Sequence, residues 1–356
     1  MTIQQLFDIQ HAILQAPMVG AGSTDLVAAV SNAGGLGATG AAPMKPEGLR
    51  AHIREIREKT DQPFNVNLFS PASEMYDQSV KLGTKAKALL EDYHRELGLA
   101  ELPEPRALFG PAEAQLDVLI DEKVPVISFH FGVEADHVHK IHAAGLKVIS
   151  SATTIDEALT LEALGVDAVI AQGAEAGGHR GTFLGDYRQA LIGTLALVPQ
   201  IVDAVKIPVI AAGGIMDARG IVACRSLGAA AVQMGTAFLG CPETRIPPLW
   251  LSELRRSTPS RTTVTSAMSG KPARGLRNRY ISEMESLDEP LLPYSLQYSM
   301  SVPLRKKALE IGNADFPTMW SGQGIQLLRE MPAGELVSQW VAESGQLSTE
   351  LAGIAI

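Results

Sequence analysis

The sequence predicts an α/β fold, a (β/α)₈ TIM barrel carrying a smaller, mainly helical cap. Three observations predict it. Eight short apolar runs alternate with helical periodicity along the chain, the rhythm of a parallel sheet built from βα units. Several runs end in Gly, Asn, Gln or His, residue types suited to the C-terminal strand ends where such barrels carry their sites. Two stretches, 71–111 and 242–316, are longer than a βα connection needs, and loops of that length are usually functional or structured.

In order, the apolar runs are 13–18, 37–40, 64–69, 126–131, 148–152, 168–172, 209–212 and 231–234. Most are continuously apolar, as expected of strands buried on both faces. Helical periodicity fits 24–32, 46–59, 134–144, 155–164, 195–205 and 218–227. Within the first long stretch, 78–97 reads as a helix, followed by the proline-bearing LPEPRALFGP. The second is rich in Ser, Arg, Pro and Met. Both are expected to be helical additions over the barrel mouth, and 324–340 a final amphipathic helix. The expected barrel therefore comprises 1–72, 112–242 and 317–356, and the cap 73–111 and 243–316.

Composition narrows the function. Hydrophobic residues make up 46% and charged residues 19% of the 356, enough for a large core and too apolar for disorder. The net charge of −9 argues against a nucleic-acid partner, because phosphate backbones attract basic surfaces. Cys224 and Cys241 have no metal or redox spacing and suit a reducing compartment. The start, MTIQQLFDIQ, lacks a signal peptide's basic and apolar regions. No run approaches the roughly 20 apolar residues of a membrane span. A cytoplasmic protein is expected, with no membrane contact, small-molecule partners and an oligomer left open.

The chemistry concentrates in QGAEAGGHRG at 172–181. Gly173, Gly177, Gly178 and Gly181 surround one imidazole, His179, and glycines let a backbone approach a ligand. AAGGI at 211–215 and AVQMGTAFLG at 231–240 follow the last two strands, where barrels often bind phosphate. Gly213 and Gly214 would admit the phosphate to backbone N–H groups, with Thr236 adding a hydroxyl. Asn67 and Gln172 end apolar strands. They are read as hydrogen-bonding the edge of a flat heterocycle, the alternative being that they satisfy loop backbone. His130 is a second active-site candidate, against a satisfied core histidine. His137, His139 and His142 lack any metal-ligand spacing and read as a solvated helix face, so no metal is expected. Lys271, Arg274, Arg277 and Arg279 either hold an anion or form a solvated basic loop.

Together with QAPMVG at 15–20, GGLGATG at 34–40, QMGTAFL at 233–239, PARGLRN at 272–278 and SGQG at 321–324, these motifs resemble the nitronate monooxygenases, formerly called 2-nitropropane dioxygenases. The resemblance implies FMN at the barrel mouth beneath a smaller domain. It implies cofactor contacts from Pro17, Met18, Asn67, Gln172, Gly177, Gly178, Gly213, Gly214, Gln233, Met234, Gly235 and Thr236. It makes His179 the catalytic residue, and places Tyr294 and Tyr298 beside His130 in a substrate pocket. A lysine that some members carry shortly after these tyrosines is replaced at about Val302. The implied reaction is FMN-dependent oxidation of alkyl nitronates by O₂ to carbonyl compounds and nitrite, a detoxification. Two rivals share the barrel: NAD(P)H-dependent reduction of a quinone or enoyl thioester, and a non-catalytic barrel binding a phosphate ligand.

Overall fold

The structure, a computed structural model, describes residues 1–70, 80–109 and 111–353. Eight parallel strands form the barrel: β1 Ile13–Gln15, β2 Gly37–Gly40, β3 Phe64–Phe69, β4 Val126–His130, β5 Lys147–Ala152, β6 Ala168–Gln172, β8 Val209–Ala212 and β9 Ala231–Met234. Each matches an expected run. The spatial order is β1-β9-β8-β6-β5-β4-β3-β2. The ring closes through the parallel bridge between Leu14 and Leu36.

Side-chain alternation along the strands decides which residues reach the site. In β3, Phe64, Val66 and Leu68 join the apolar layer between sheet and helices, while Asn67 and Phe69 face the barrel mouth. The lower interior is plugged. Helix α1, Ile3–Phe7, has the reciprocal Thr2–Gln5 capping box that a five-residue helix needs to hold its ends. It buries Ile3 and Phe7 against the inward-facing Leu14, Leu36, Val126, Ile149, Ile210 and Ala231. Burying a side chain such as Phe7 contributes about 2–3 kcal/mol. With that end filled, the interior opens at the C-terminal strand ends.

Six of the connecting helices follow the sequence pattern, and a seventh, at Ala112–Asp121, is not expected from it. They are α2 Thr24–Asn32, α3 Pro46–Lys59, α5 Ala112–Asp121, α6 Ala135–Ala143, α7 Ile155–Leu164, α8 Thr194–Ala204 and α9 Ala218–Ser226. Ser23, Thr154 and Asp217 cap three of them by accepting a backbone N–H. The last helix departs from expectation. Only a 3₁₀ turn forms at Ile325–Leu327, and α14 spans Ala333–Ala352. Pro332 lacks an N–H and pushes Met331 toward extended backbone, so it stops an earlier start and serves as N-cap. Helix α14 then seats Trp340 against Phe238, ring centroids 5.2 Å apart.

A second apolar core lies above the barrel. It is built from α4 Thr84–Glu96, α11 Arg279–Glu285, α12 Leu296–Met300 and α13 Val302–Ile311, around Leu90, Tyr93, Tyr280, Met284 and Phe316. The first of these helices is expected over 78–97; 78–79 lie outside the described residues, and 80–83 are not helical, so it starts at Thr84. The sequence reading of 243–316 as helical misses a small antiparallel sheet. Strands β10 Thr262–Thr265 and β11 Ala273–Leu276 pair, and β11 also pairs with β7, Gly178–His179. Four-residue strands without regular alternation give little periodic signal. Another correction concerns α6. His137 is buried rather than solvated, stacked on Phe129 and paired with Glu113 at 2.5 Å. Among the described residues no helix is long and apolar enough to cross a membrane.

Candidate functional site

A cavity of about 360 Å³ opens at the C-terminal strand ends. Ile170 and Ala212 contribute to its barrel side, Phe69, Phe109, Tyr294 and Trp320 to its aromatic side. Among the described residues no Asp, Glu, Lys or Arg lines it. At one end sits a glycine cradle. Gly213 and Gly214 have φ of +118° and +71°, and successive N–H groups in such a turn form an anion-binding concavity. Gly235 and Thr236 follow, opening a 3₁₀ turn whose first N–H groups have no intrahelical partner. Two further loops interlock beside the cradle. A Cβ on Gly177 would lie 2.6 Å from Gly322 N, and one on Gly322 would lie 2.6 Å from Glu175 O. Only glycine permits that approach, which accounts for SGQG in the sequence.

At the other end stands His179, placed by the pairing of β7 with β11 opposite Ala273. Its loop is clamped on every side. Gln172 Nε2 donates to His179 O at 2.9 Å, and Gln172 Oε1 accepts from Gly181 N at 2.8 Å. The buried Arg180 guanidinium donates to the carbonyls of Gly173, Gln172 and Ala190. The imidazole itself meets Ser269, with Nε2 2.9 Å from Oγ. Ser269 has one proton and gives it to the Lys271 carbonyl at 3.0 Å, an atom that can only accept. Nε2 must therefore carry the ring proton, which leaves Nδ1 with its lone pair. Burial, aided by repulsion from a protonated His130 and by the Lys271 charge, holds the His179 pKa down at about 3. The ring is thus a neutral acceptor near neutral pH. Phe131, Tyr294 and Trp320 surround it at centroid distances of 6.0, 5.0 and 5.5 Å.

A glycine-built anion cradle and a tautomer-fixed imidazole thus share one apolar cavity. A model of the nitronate monooxygenase family matches residues 1–343. The chain belongs to that family. It is 40% identical over 346 residues to a probable nitronate monooxygenase of Staphylococcus saprophyticus, covering 96% of this chain and 97% of the relative. A probable nitronate monooxygenase of Staphylococcus aureus is 41% identical over 347 residues, 97% of each. A nitroalkane oxidase from Streptomyces ansochromogenes superposes with a TM-score of 0.89 at 39% identity, covering 98% of this chain and 99% of that one. FabK from Thermotoga maritima superposes with a TM-score of 0.77 at 33% identity, covering 99% of each chain. The chain is accordingly an oxidoreductase.

In this nitronate monooxygenase family member, nearly all the site residues expected from sequence line one cavity. Pro17, Met18, Asn67, Gln172, Gly177, Gly178, Gly213, Gly214, Gln233, Gly235, Thr236, His130, His179, Tyr294 and Tyr298 all do. Met234 does not. Alternation along β9 sends its side chain outward into the core between sheet and helices. Two others are tied to protein partners. Gln172 is first a brace of the His179 loop. His130 uses both ring nitrogens: Nε2 donates to His179 O at 3.0 Å, and Nδ1 meets Ser151 Oγ at 2.6 Å. It braces the loop instead of offering a free atom, and burial keeps its pKa down at about 4. Asn67 donates from Nδ2 to Ser128 O and Oγ, which orients its amide at the cavity wall. Tyr298 receives a hydrogen bond from Arg305, whose guanidinium stacks 3.8 Å above its ring.

Sequence reasoning missed Arg180 and Ser269. Arg180 follows His179 in the glycine loop, and an arginine inside so apolar a neighbourhood is a readable sign of carbonyl clamping. Ser269 carries no such sign, because its role exists only once β11 lies against β7.

Proposed function

We propose that this chain oxidises alkyl nitronates with dioxygen, using FMN, to a carbonyl compound and nitrite. The observation that carries the reading is the neutral, tautomer-fixed imidazole facing an aromatic-walled cavity continuous with a glycine anion cradle. The residues fit FMN. Gln233 Oε1 is buried without a hydrogen-bond partner, a cost that a ring-edge donor would relieve. Asn67 and Gln233 would hold that edge, Pro17 and Met18 would pack beside it, and Gly213, Gly214, Gly235 and Thr236 would hold the phosphate. FMN supplies the electron-accepting and oxygen-reacting chemistry when bound. The protein orients the substrate, excludes water with its aromatic wall, and offers the unprotonated His179 Nδ1 as the acceptor for the α-proton when a neutral nitroalkane enters. The nitronate formed beside it stabilises the imidazolium that the apolar cavity otherwise disfavours. Cys224 and Cys241 are free and buried, with thiol pKa values pushed up to about 11 and 12; such inert thiols fit the reducing cytoplasm.

Denaturing the purified protein should release a yellow compound that chromatographs as FMN, because the cradle suits one terminal phosphate. FAD, or flavin retained on the chain, would refute that. Oxygen uptake with propyl nitronate, and none with NADH, tests the reaction. Rapid anaerobic bleaching by NADH without nitronate turnover would replace it with the reductase reading.

Ser269 gives a finer test. Ser269→Ala removes the acceptor that keeps the proton on Nε2, so both tautomers become accessible. Turnover of neutral nitroalkanes should fall roughly 10-fold, toward the low end of what a general base contributes. FMN content should stay unchanged, and Ser269→Thr should restore most of the rate. A Ser269→Ala enzyme with wild-type turnover would show that the hydroxyl does not set the tautomer.

A further inference from the structure

Among the described residues the cavity lining holds no charged side chain, yet a cation stands two layers away, over a ring that packs on the lining. Lys271 Nζ lies 4.3 Å from the centroid of Phe131. That ring is 4.5 Å from His130, 6.0 Å from His179 and 5.8 Å from Tyr294 by ring centroids. The lysine is fixed to the same hydrogen-bond chain as the imidazole, since its carbonyl takes the Ser269 proton while Ser269 Oγ takes that of His179. Its ammonium is partly desolvated, and burial lowers its pKa with no counter-ion among the described residues opposing the shift. Its charge reaches both imidazoles and helps keep them unprotonated.

A desolvated cation without a partner is unfavourable, and an anion brought close to it relieves the cost. Inside a low-dielectric aromatic wall that attraction is far stronger than in water. The neutral His179 cannot supply it. We propose that Lys271 is the positioning charge that makes this site select anions, favouring a nitronate over the neutral nitroalkane of the same carbon skeleton. The inference rests on the proposed function for the identity of the substrate, and on geometry alone for the anion preference. No proton or electron passes through Lys271. It acts across Phe131.

The test uses the FMN-loaded protein, with Lys271→Met keeping an apolar stem behind Phe131 and Lys271→Arg keeping the charge. The readouts are KM and kcat for propyl nitronate and for 1-nitropropane, and binding of sodium nitrate followed by the flavin absorbance change at fixed ionic strength. Nitrate is an unreactive planar oxoanion. Lys271→Met should raise KM for the nitronate on the order of 10-fold, equivalent to about 1.4 kcal/mol. It should weaken nitrate by a similar factor and leave KM for 1-nitropropane within about 2-fold. Lys271→Arg should keep nitrate binding and the nitronate preference. Unchanged nitrate affinity in Lys271→Met would overturn the proposal, and so would an equal loss on both substrate forms, which marks a packing role. A wild-type protein that binds nitrate through Lys271 but oxidises no nitronate would refute the proposed reaction and leave the anion site standing.

Discussion

Replacing His179 with Asn should leave a folded, FMN-loaded protein whose turnover is lower by on the order of 10²-fold or more, the usual cost of losing a positioned acid–base group. Asn keeps a polar side chain beside Ser269 but has no basic lone pair comparable to Nδ1. The loop should survive, because Gln172, His130 and Arg180 hold it through backbone atoms rather than through the imidazole. The cofactor should stay, because the cradle and the ring-edge amides are on other strands. The loss should be larger with neutral nitroalkanes than with pre-formed nitronates, since only the former need a proton removed. The pH profile gives an independent check. With its pKa held at about 3, His179 contributes no break to the wild-type rate near pH 6.5. Stability carries the complementary sign. The folded pKa values of His130 and His179 are depressed to about 4 and about 3, below the unfolded value of about 6.5. The unfolded chain then binds protons first, so the native state loses stability as pH falls from about 6.5 toward those values. His179→Asn removes one such site, and its acid-unfolding midpoint should move to lower pH. Wild-type turnover by His179→Asn on both substrate forms would sink the catalytic assignment.

What the sequence made legible follows from how far each signal reaches. A barrel strand is buried on both faces, so its apolar run is written locally, and the runs at 64–69 and 168–172 became β3 and β6 without shift. The glycine loop around His179 was equally local, because positive φ at Gly178 and the close approach at Gly177 restrict residue type in place. The anchoring of His179 was not local. Ser269 lies 90 residues along the chain, and nothing in SGK distinguishes it from a turn serine until β11 pairs with β7. The basic segment admitted two readings from sequence, an anion site or a solvated loop, and the four cations form neither as a group. Lys271 Nζ lies over Phe131, and the buried Arg274 donates to Ala174 O and Thr262 Oγ1. Arg277 pairs with Glu285, and Arg279 with Glu96 and Glu283. For Gln172 and His130, residue type and strand position admitted both a ligand and a loop partner. Only hydrogen-bond distances show how much of each side chain the loop uses. The late start of α14 was readable in principle, since Pro332 sat in plain view inside the stretch taken as helical.

Gly214→Val should strip the protein of flavin, leaving less than about a tenth of the wild-type FMN content while most of the fold persists. Two effects combine at this position. Gly214 has a φ of +71°, a region that costs an L-residue roughly 1–2 kcal/mol and a β-branched one more. A Cβ there would also lie 3.2 Å from Glu175 Cβ and 3.5 Å from its Cγ. Glu175 has little freedom to retreat. Its carboxylate accepts from Thr194 N at 2.9 and 3.0 Å and from Thr194 Oγ1 at 2.8 Å, where α8 begins. The cheaper response is for the 213–215 backbone to move, and that turns its N–H groups away from the phosphate. The valine therefore acts by displacing the cradle, not by filling the phosphate's space as the glycine pair alone would suggest. A penalty of 2–3 kcal/mol in a chain of this size lowers Tm by only about 4–12 °C, so circular dichroism should still report a folded barrel at 25 °C. Gly214→Ala shares the φ penalty but carries a single methyl. It should hold an intermediate amount of FMN and recover more in excess cofactor than the valine variant does. If Gly214→Val binds FMN at the wild-type level, the phosphate is not held at the end of β8, and the cradle assigned to Gly213 and Gly214 is wrong.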